Sequence, residues 1–134
     1  MRLRTISLSI QGIFYIGAGI NHFWHAPFYI AIMPTYLPAP AFLVWLSGLC
    51  EIAGGVGLLS PSLRRIAAYG LAAMLVVYFS VHIHMIAHHA ELFPHYPLWL
   101  LYARLLFQPV LIAWAASALP SGADAARTAT AHPQ

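Results

Sequence analysis

Glu51 stands inside an otherwise uncharged apolar run, residues 41–59, that is long enough to cross a bilayer. A carboxylate in hydrocarbon is costly unless something pairs with it, so an acid in such a place marks a functional site by default. Its obvious partner is Arg104, which lies inside a second apolar run, residues 98–119. An acid and a base so placed suit proton-coupled chemistry: Glu51 accepts or relays a proton, while Arg104 holds its charge state or binds an anionic oxygen. The same two residues equally suit a buried ion pair that fixes helix register and does no chemistry. Both readings stand on the sequence.

Histidine is the second anomaly. Seven of the eight histidines gather at one set of ends of the apolar runs: His22, His25, His82, His84, His88, His89 and His95. At 100° per residue His82, Met85 and His89 share one helix face and His84 and His88 the opposite one, so only one set can face a helix neighbour. Imidazole suits zinc, copper and iron, and histidines three or four residues apart on a helix have chelating geometry. The expected metal set is His84, His88, His89 and His25, with Met85 as a soft ligand favouring copper; a haem would need axial imidazoles facing a cavity. Interfacial histidines also occur without any ligand, because the ring is amphipathic. The organic alternative is a quinone, whose reduction needs proton donors beside an apolar slot. The expected cofactor contacts are His22, Tyr15, Gln108 and His82, beneath the aromatic side chains of Tyr15, Phe23 and Trp99.

The elements that must position these groups follow from composition. Of the 134 residues 61% are hydrophobic and 7% charged, with mean hydropathy +0.76, where a soluble domain carries about a quarter charged residues. A spanning helix needs about 20 mostly apolar residues, and residues 3–24, 41–59, 66–87 and 98–119 each supply such a window. The fold expected is all-α, a bundle of four transmembrane helices forming one membrane domain over residues 1–119. Residues 120–134, rich in alanine, threonine and small polar residues, are expected to form a disordered cytoplasmic tail. Every basic residue is an arginine, and Arg2, Arg4, Arg64, Arg65 and Arg127 fall outside the runs. The positive-inside rule puts their segments, and so both termini, in the cytoplasm, while the segments around 28–40 and 91–97, which contain no Lys or Arg, face outward. These charges speak to topology and not to nucleic acid. The first run lacks a small-residue cleavage site and is expected to be retained, not removed as a signal peptide. The lone Cys50 excludes an intrachain disulfide.

Finer expectations concern faces and loops. Residues 28–33 have room for a short interfacial helix acting as a lid, with Trp24, Phe28, Tyr29 and Tyr36 as headgroup anchors. Three polar stripes are expected to point into the bundle: Gln11, Tyr15, Ala18, His22 and His25; Ser47, Gly48, Glu51, Gly54 and Gly55; and Arg104, Gln108, Leu111 and Ala115. The glycine clusters at 17–19 and 54–57 read as helix-packing sites and not phosphate loops, and Pro109 should kink its helix. No nucleotide loop, nucleophile elbow or HExxH motif is present.

Several of these residues carry a family resemblance. Asn21-His22-Phe23 with Pro27, Met33-Pro34, Leu37-Pro38, Ser47-Gly48 through Glu51, Gly54-Gly55, Leu58-Leu59 with Pro61, Arg64-Arg65, and Arg104 to Gln108 before Trp114 stand in that order. The set resembles the DoxX family of small bacterial membrane proteins, over roughly residues 10–116. The resemblance implies a four-helix bundle in the bacterial inner membrane. Members of that family include DoxD-type subunits of a thiosulfate:quinone oxidoreductase and components of thiol-redox assemblies, and distant animal relatives are assembly chaperones. His82 and the histidine-rich run around it depart from the family pattern, where an asparagine is common. The function expected is a redox-associated membrane protein that binds a quinone, a metal or a haem and works with lipid and a membrane redox partner or a second copy of itself. The alternative is a non-catalytic assembly, chaperone or accessory subunit in which Glu51 and Arg104 are structural.

Overall fold

The computed structural model describes residues 2–119; the expected tail and Arg127 lie outside the described residues. Six helices follow in order: α1 (Arg2–Trp24), α2 (Ala26–Ala31), α3 (Pro40–Leu59), α4 (Arg64–Ala87), α5 (His89–Leu92) and α6 (Leu98–Ala116). Four of them, α1, α3, α4 and α6, are long and apolar enough to cross a membrane. The protein is therefore the all-α, four-span bundle expected. In hydrocarbon only such helices satisfy every backbone polar group within the segment.

Proline sets the starts. Pro27 opens α2 and Pro40 opens α3, each in the first turn where the missing N–H is not needed. Ala39, the residue before Pro40, is barred from the right-handed helical region and takes a left-handed conformation, φ 49°. That conformation costs an L-residue roughly 1–2 kcal/mol and glycine almost nothing. Ala39→Gly is accordingly expected to raise unfolding stability in detergent by about 1 kcal/mol, a gain read directly as a higher Tm. At the other end of α3, Arg64 Nε donates to the Leu58 carbonyl at 2.9 Å and satisfies a group the helix leaves open.

Glycine brings α1 and α3 together. A Cβ on Gly19 would lie 2.5 Å from the Gly48 carbonyl oxygen, and one on Gly55 would lie 2.6 Å from that of Gly12. These two crossing points let the antiparallel backbones touch, the packing that small residues permit in membranes. The expected stripe on α3 divides accordingly: Gly48 and Gly55 face α1, while Gly54 and Gly57 receive Leu71 and Ala67 of α4. Gly17 meets nothing within 4 Å, so only part of the first glycine cluster is a packing site.

The four spans form an open series. α1 packs on α3, α3 on α4, and α4 on α6, but α6 does not close back on α1 through its backbone. Among the described residues, hydrogen bonds between side chains of α1 and the α6 segment lie at one end. There Trp114 Nε1 donates to Ser7 Oγ (3.1 Å), Gln11 Nε2 to Ser117 Oγ (3.4 Å) and Arg4 to the Leu119 carbonyl (3.2 Å). The same end holds one core, built on Leu8, Tyr15, Leu58, Leu71, Leu75 and Ala115. A second, smaller core of Ile32, Met85, Phe93 and Leu101 closes the opposite end.

That second end carries α2, the short lid helix expected near residues 28–33. Trp24 and Tyr36 are exposed as anchors should be. Tyr29 is not an anchor: its hydroxyl accepts from Asn21 Nδ2 at 2.7 Å, and its ring centroid lies 4.1 Å from that of His22. The single-turn helix α5 has no counterpart in the sequence reading.

Candidate ligand cavity

Between the two cores lies a cavity of about 330 Å³, at the small end of the range of roughly 300–1,000 Å³ that ligand pockets occupy. Glu51, Arg104, His22, Tyr15, Gln108 and His82, the six residues expected to form a proton-coupled or cofactor site, all line it. They come from four helices and meet because the open series wraps around this space. α1 brings Tyr15 and His22, seven residues apart on one face, and α3 brings Glu51. α4 contributes His82, α6 contributes Gln108 and Arg104, and Tyr29, Ile32 and Met33 of the lid segment form the roof.

The polar groups are ordered by hydrogen bonds. Tyr78 donates its hydroxyl proton to Glu51 Oε1 at 2.9 Å. Ser47 donates to the Val44 carbonyl at 2.8 Å, so its oxygen accepts from His22 Nδ1 at 2.9 Å. A hydroxyl has one proton to give, and this assigns the neutral His22 ring as the Nδ1–H tautomer. Its Nε2 lone pair then faces Glu51 Oε2 across 3.9 Å, an ion pair when the ring is protonated but too long for a hydrogen bond. Glu51 Oε2 and the Tyr15 hydroxyl are both buried and without a partner. Buried polar atoms in native proteins are nearly always satisfied, and exceptions call for a missing water, ion or ligand. Two of them around one cavity are what a polar ligand atom would complete. His82 adds a third contact, since its Nδ1 donates to the Tyr78 carbonyl at 2.8 Å and leaves Nε2 unspent.

Residues 11–119 match a sequence family described as a domain of unknown function, DUF8561. The chain belongs to that family. The matched region contains every residue that lines the cavity. No curated protein and no solved structure gives a significant match.

Three expectations about the site need correction. Glu51 and Arg104 share the cavity but form no ion pair; Glu51 is held by Tyr78 and faces His22, while Arg104 is exposed at the rim. Glu51 is packed at the α3/α4 junction, whereas α6 touches α3 too little to bring a guanidinium to it. The proposed metal set does not converge either. Among the described residues no group of three or more His, Cys, Asp or Glu is placed to hold a metal ion. His88 Nδ1 donates to the His84 carbonyl (3.1 Å), His89 Nε2 to the Tyr96 carbonyl (2.6 Å), and His25 Nδ1 bonds Asn21 (2.7 Å). The His84 and His88 rings lie against each other, 4.1 Å apart. Of the two helical faces, that of His82 and Met85 faces the interior. Finally, Phe23 and Trp99 are exposed outside the cavity, and its aromatic walls are Phe14, Tyr29, Tyr78 and Phe107. Ser47 stands on the polar stripe expected to point into the bundle but is not among the expected site residues, and Tyr78 has no place in the sequence reading. The only sequence signal was their position, since Ser47 lies one turn before Glu51 and Tyr78 one turn before His82.

Proposed function

We propose that the protein is a redox-associated integral membrane protein that binds the head of a quinone in this cavity. The observation that carries the reading is the pair of buried, unpartnered oxygens, Glu51 Oε2 and Tyr15 OH, in a chamber whose walls are mostly apolar. A quinone supplies two carbonyl oxygens that accept hydrogen bonds and that take up two protons together with two electrons. The chain's own residues then have separable tasks. The Tyr15 hydroxyl donates to one carbonyl oxygen. Glu51, set beside His22 Nε2 at 3.9 Å, passes on the two protons one at a time and is reprotonated from water after each, with Tyr78 and Ser47 fixing the carboxyl and the ring. Electrons come from a membrane redox partner. This reading agrees with the DoxX-like resemblance, and with it we place the protein in a bacterial inner membrane with both termini in the cytoplasm, as the arginine distribution favours.

The test is purification in mild detergent, followed by an absorption spectrum, metal analysis and mass spectrometry of the lipid extract. The expected result is a quinone in near-stoichiometric amount, reduced at least severalfold in Tyr15→Phe. A clear spectrum and a quinone content equal to that of an unrelated membrane protein would remove the reading. One observation favours the accessory alternative: a second, apolar groove of about 380 Å³ between α3 and α4, lined by Cys50, Gly70 and Met74 among others. A quinone-free preparation would make that groove the next object of study.

A further inference from the structure

We propose that the cavity opens sideways into the bilayer, through the gap between the outer halves of α1 and α6, and that its ligand is an amphiphile whose tail stays in lipid while Arg104 holds the head at the doorway. This rests on the quinone-binding reading and adds the route, the position of the tail and a task for Arg104.

The argument is one of elimination around the cavity wall. Toward the end that holds Ser7 and Ser117, the space is shut by the Ser7–Trp114 and Gln11–Ser117 hydrogen bonds and by Phe14 against Trp114, ring centroids 5.9 Å apart. Toward the opposite end it is shut by the lid: Ile32 is 4% exposed, Met85 1%, and Phe28 packs on Phe93 at 6.1 Å. α3 seals against α1 with backbone in contact at two glycine crossings, α4 packs on α3, and Gln108 ties α6 to α4 by donating to the Leu75 carbonyl at 2.7 Å. The remaining side is α1 against α6. From Tyr15 to Trp24 on one and Leu98 to Leu111 on the other, no hydrogen bond or ring contact joins the two helices among the described residues.

The residues that flank this gap are both cavity-lining and exposed. Phe14 is 42% exposed and Phe107 54%, and each also lines the cavity. A side chain that belongs to both the interior and the outer surface is the edge of an opening. Its chemistry is aromatic, as suits an alkyl or isoprenoid chain crossing it.

Arg104 then has a reason for its place. It lies roughly two turns from the outer end of α6, exposed, with no hydrogen bond or ion pair among the described residues. A guanidinium facing lipid there is expensive unless it snorkels outward or meets an oxygen-bearing group. A ligand whose head lies just inside the gap supplies that group, and the planar fork can bind two oxygens at once. The shared chemistry is an oxygen-rich head on a long apolar tail, which either a quinone or a phospholipid provides.

The experiment uses the full chain in vesicles with two probes, a quinone carrying a photoreactive diazirine in its tail and a phospholipid carrying the same group in an acyl chain. After irradiation, adducts are located by digestion and mass spectrometry, with a short-chain quinone as competitor. The expected result is adducts at Phe14, Phe107 and Leu111 that the competitor removes, and that fall at least fivefold in Arg104→Gln but recover in part in Arg104→Lys. Competed quinone adducts confined to Tyr29, Ile32 and Met33 would overturn the doorway while leaving quinone binding intact. Phospholipid adducts at the doorway that no quinone displaces would keep the doorway and overturn the quinone as its occupant. An absence of saturable adducts from either probe would overturn both readings.

Discussion

Glu51→Gln is expected to lower proton-coupled quinone reduction by about 10²- to 10⁴-fold, the range that a positioned acid–base group contributes, without unfolding the protein. The amide is nearly isosteric with the carboxyl. Its oxygen still accepts from Tyr78, which holds Glu51 Oε1 at 2.9 Å, and its NH₂ takes the place of the unpartnered Oε2. What is lost is a carboxyl that can take up and release a proton beside His22, whose Nε2 lies 3.9 Å away. The effect therefore belongs to the chemistry and not to the fold. Membranes containing equal amounts of the two proteins, assayed for reduction of a short-chain quinone by endogenous donors, give the comparison. A rate within twofold of the parent would remove Glu51 from proton transfer. Tyr78→Phe separates the two roles further: it leaves the carboxyl in place but strips its donor, so a smaller loss in rate should come with a loss of stability of about 1–3 kcal/mol from the uncompensated buried group.

The second large effect is steric. In Gly19→Val the new Cβ would lie 2.5 Å from the Gly48 carbonyl oxygen and 2.9 Å from the Ile52 backbone nitrogen, and neither backbone atom can move without parting α1 from α3. Overpacking of this kind costs about 1–3 kcal/mol and sometimes more, and here it acts on the crossing that also positions His22 opposite Ser47 and Glu51. Gly19→Val is expected to lose most of its yield as monodisperse protein in detergent, and what survives should melt lower. Gly17→Ala, two residues away and with nothing within 4 Å of its Cβ, is the matched control and should be indistinguishable from the parent. If both variants behave alike, the crossing is not where the structure puts it.

The two cases show what was legible in the chain and what was not. Four apolar windows in a sequence with 7% charged residues leave few folds open, so the bundle and the lid near residues 28–33 follow from composition and proline spacing. The membership of the cavity was also legible, because Tyr15, His22, Glu51, His82, Arg104 and Gln108 are polar at helical positions that lipid would otherwise exclude. Their pairing was not. A carboxylate and a guanidinium in two runs invite an ion pair, yet glycines mark packing faces without naming the partner helix, and the failure of α6 to return to α1 is not written in residue type. The chelating spacing of His84 and His88 was likewise real but incomplete, since ring nitrogens of His88, His89 and His25 are spent on local hydrogen bonds. The orphaned Tyr15 hydroxyl is a fact of three dimensions only.

The central claim, that the chamber around Glu51 and Tyr15 is a binding site for a polar-headed quinone, is tested most directly by titrating a short-chain quinone into the purified protein and following heat or intrinsic fluorescence. We expect saturable binding with one site per chain, weakened at least tenfold, about 1.4 kcal/mol, in both Tyr15→Phe and Glu51→Leu, and unchanged when His84 and His88 are both replaced by alanine. A linear, unsaturable response in the parent protein, or equal affinity in all four proteins, would contradict it.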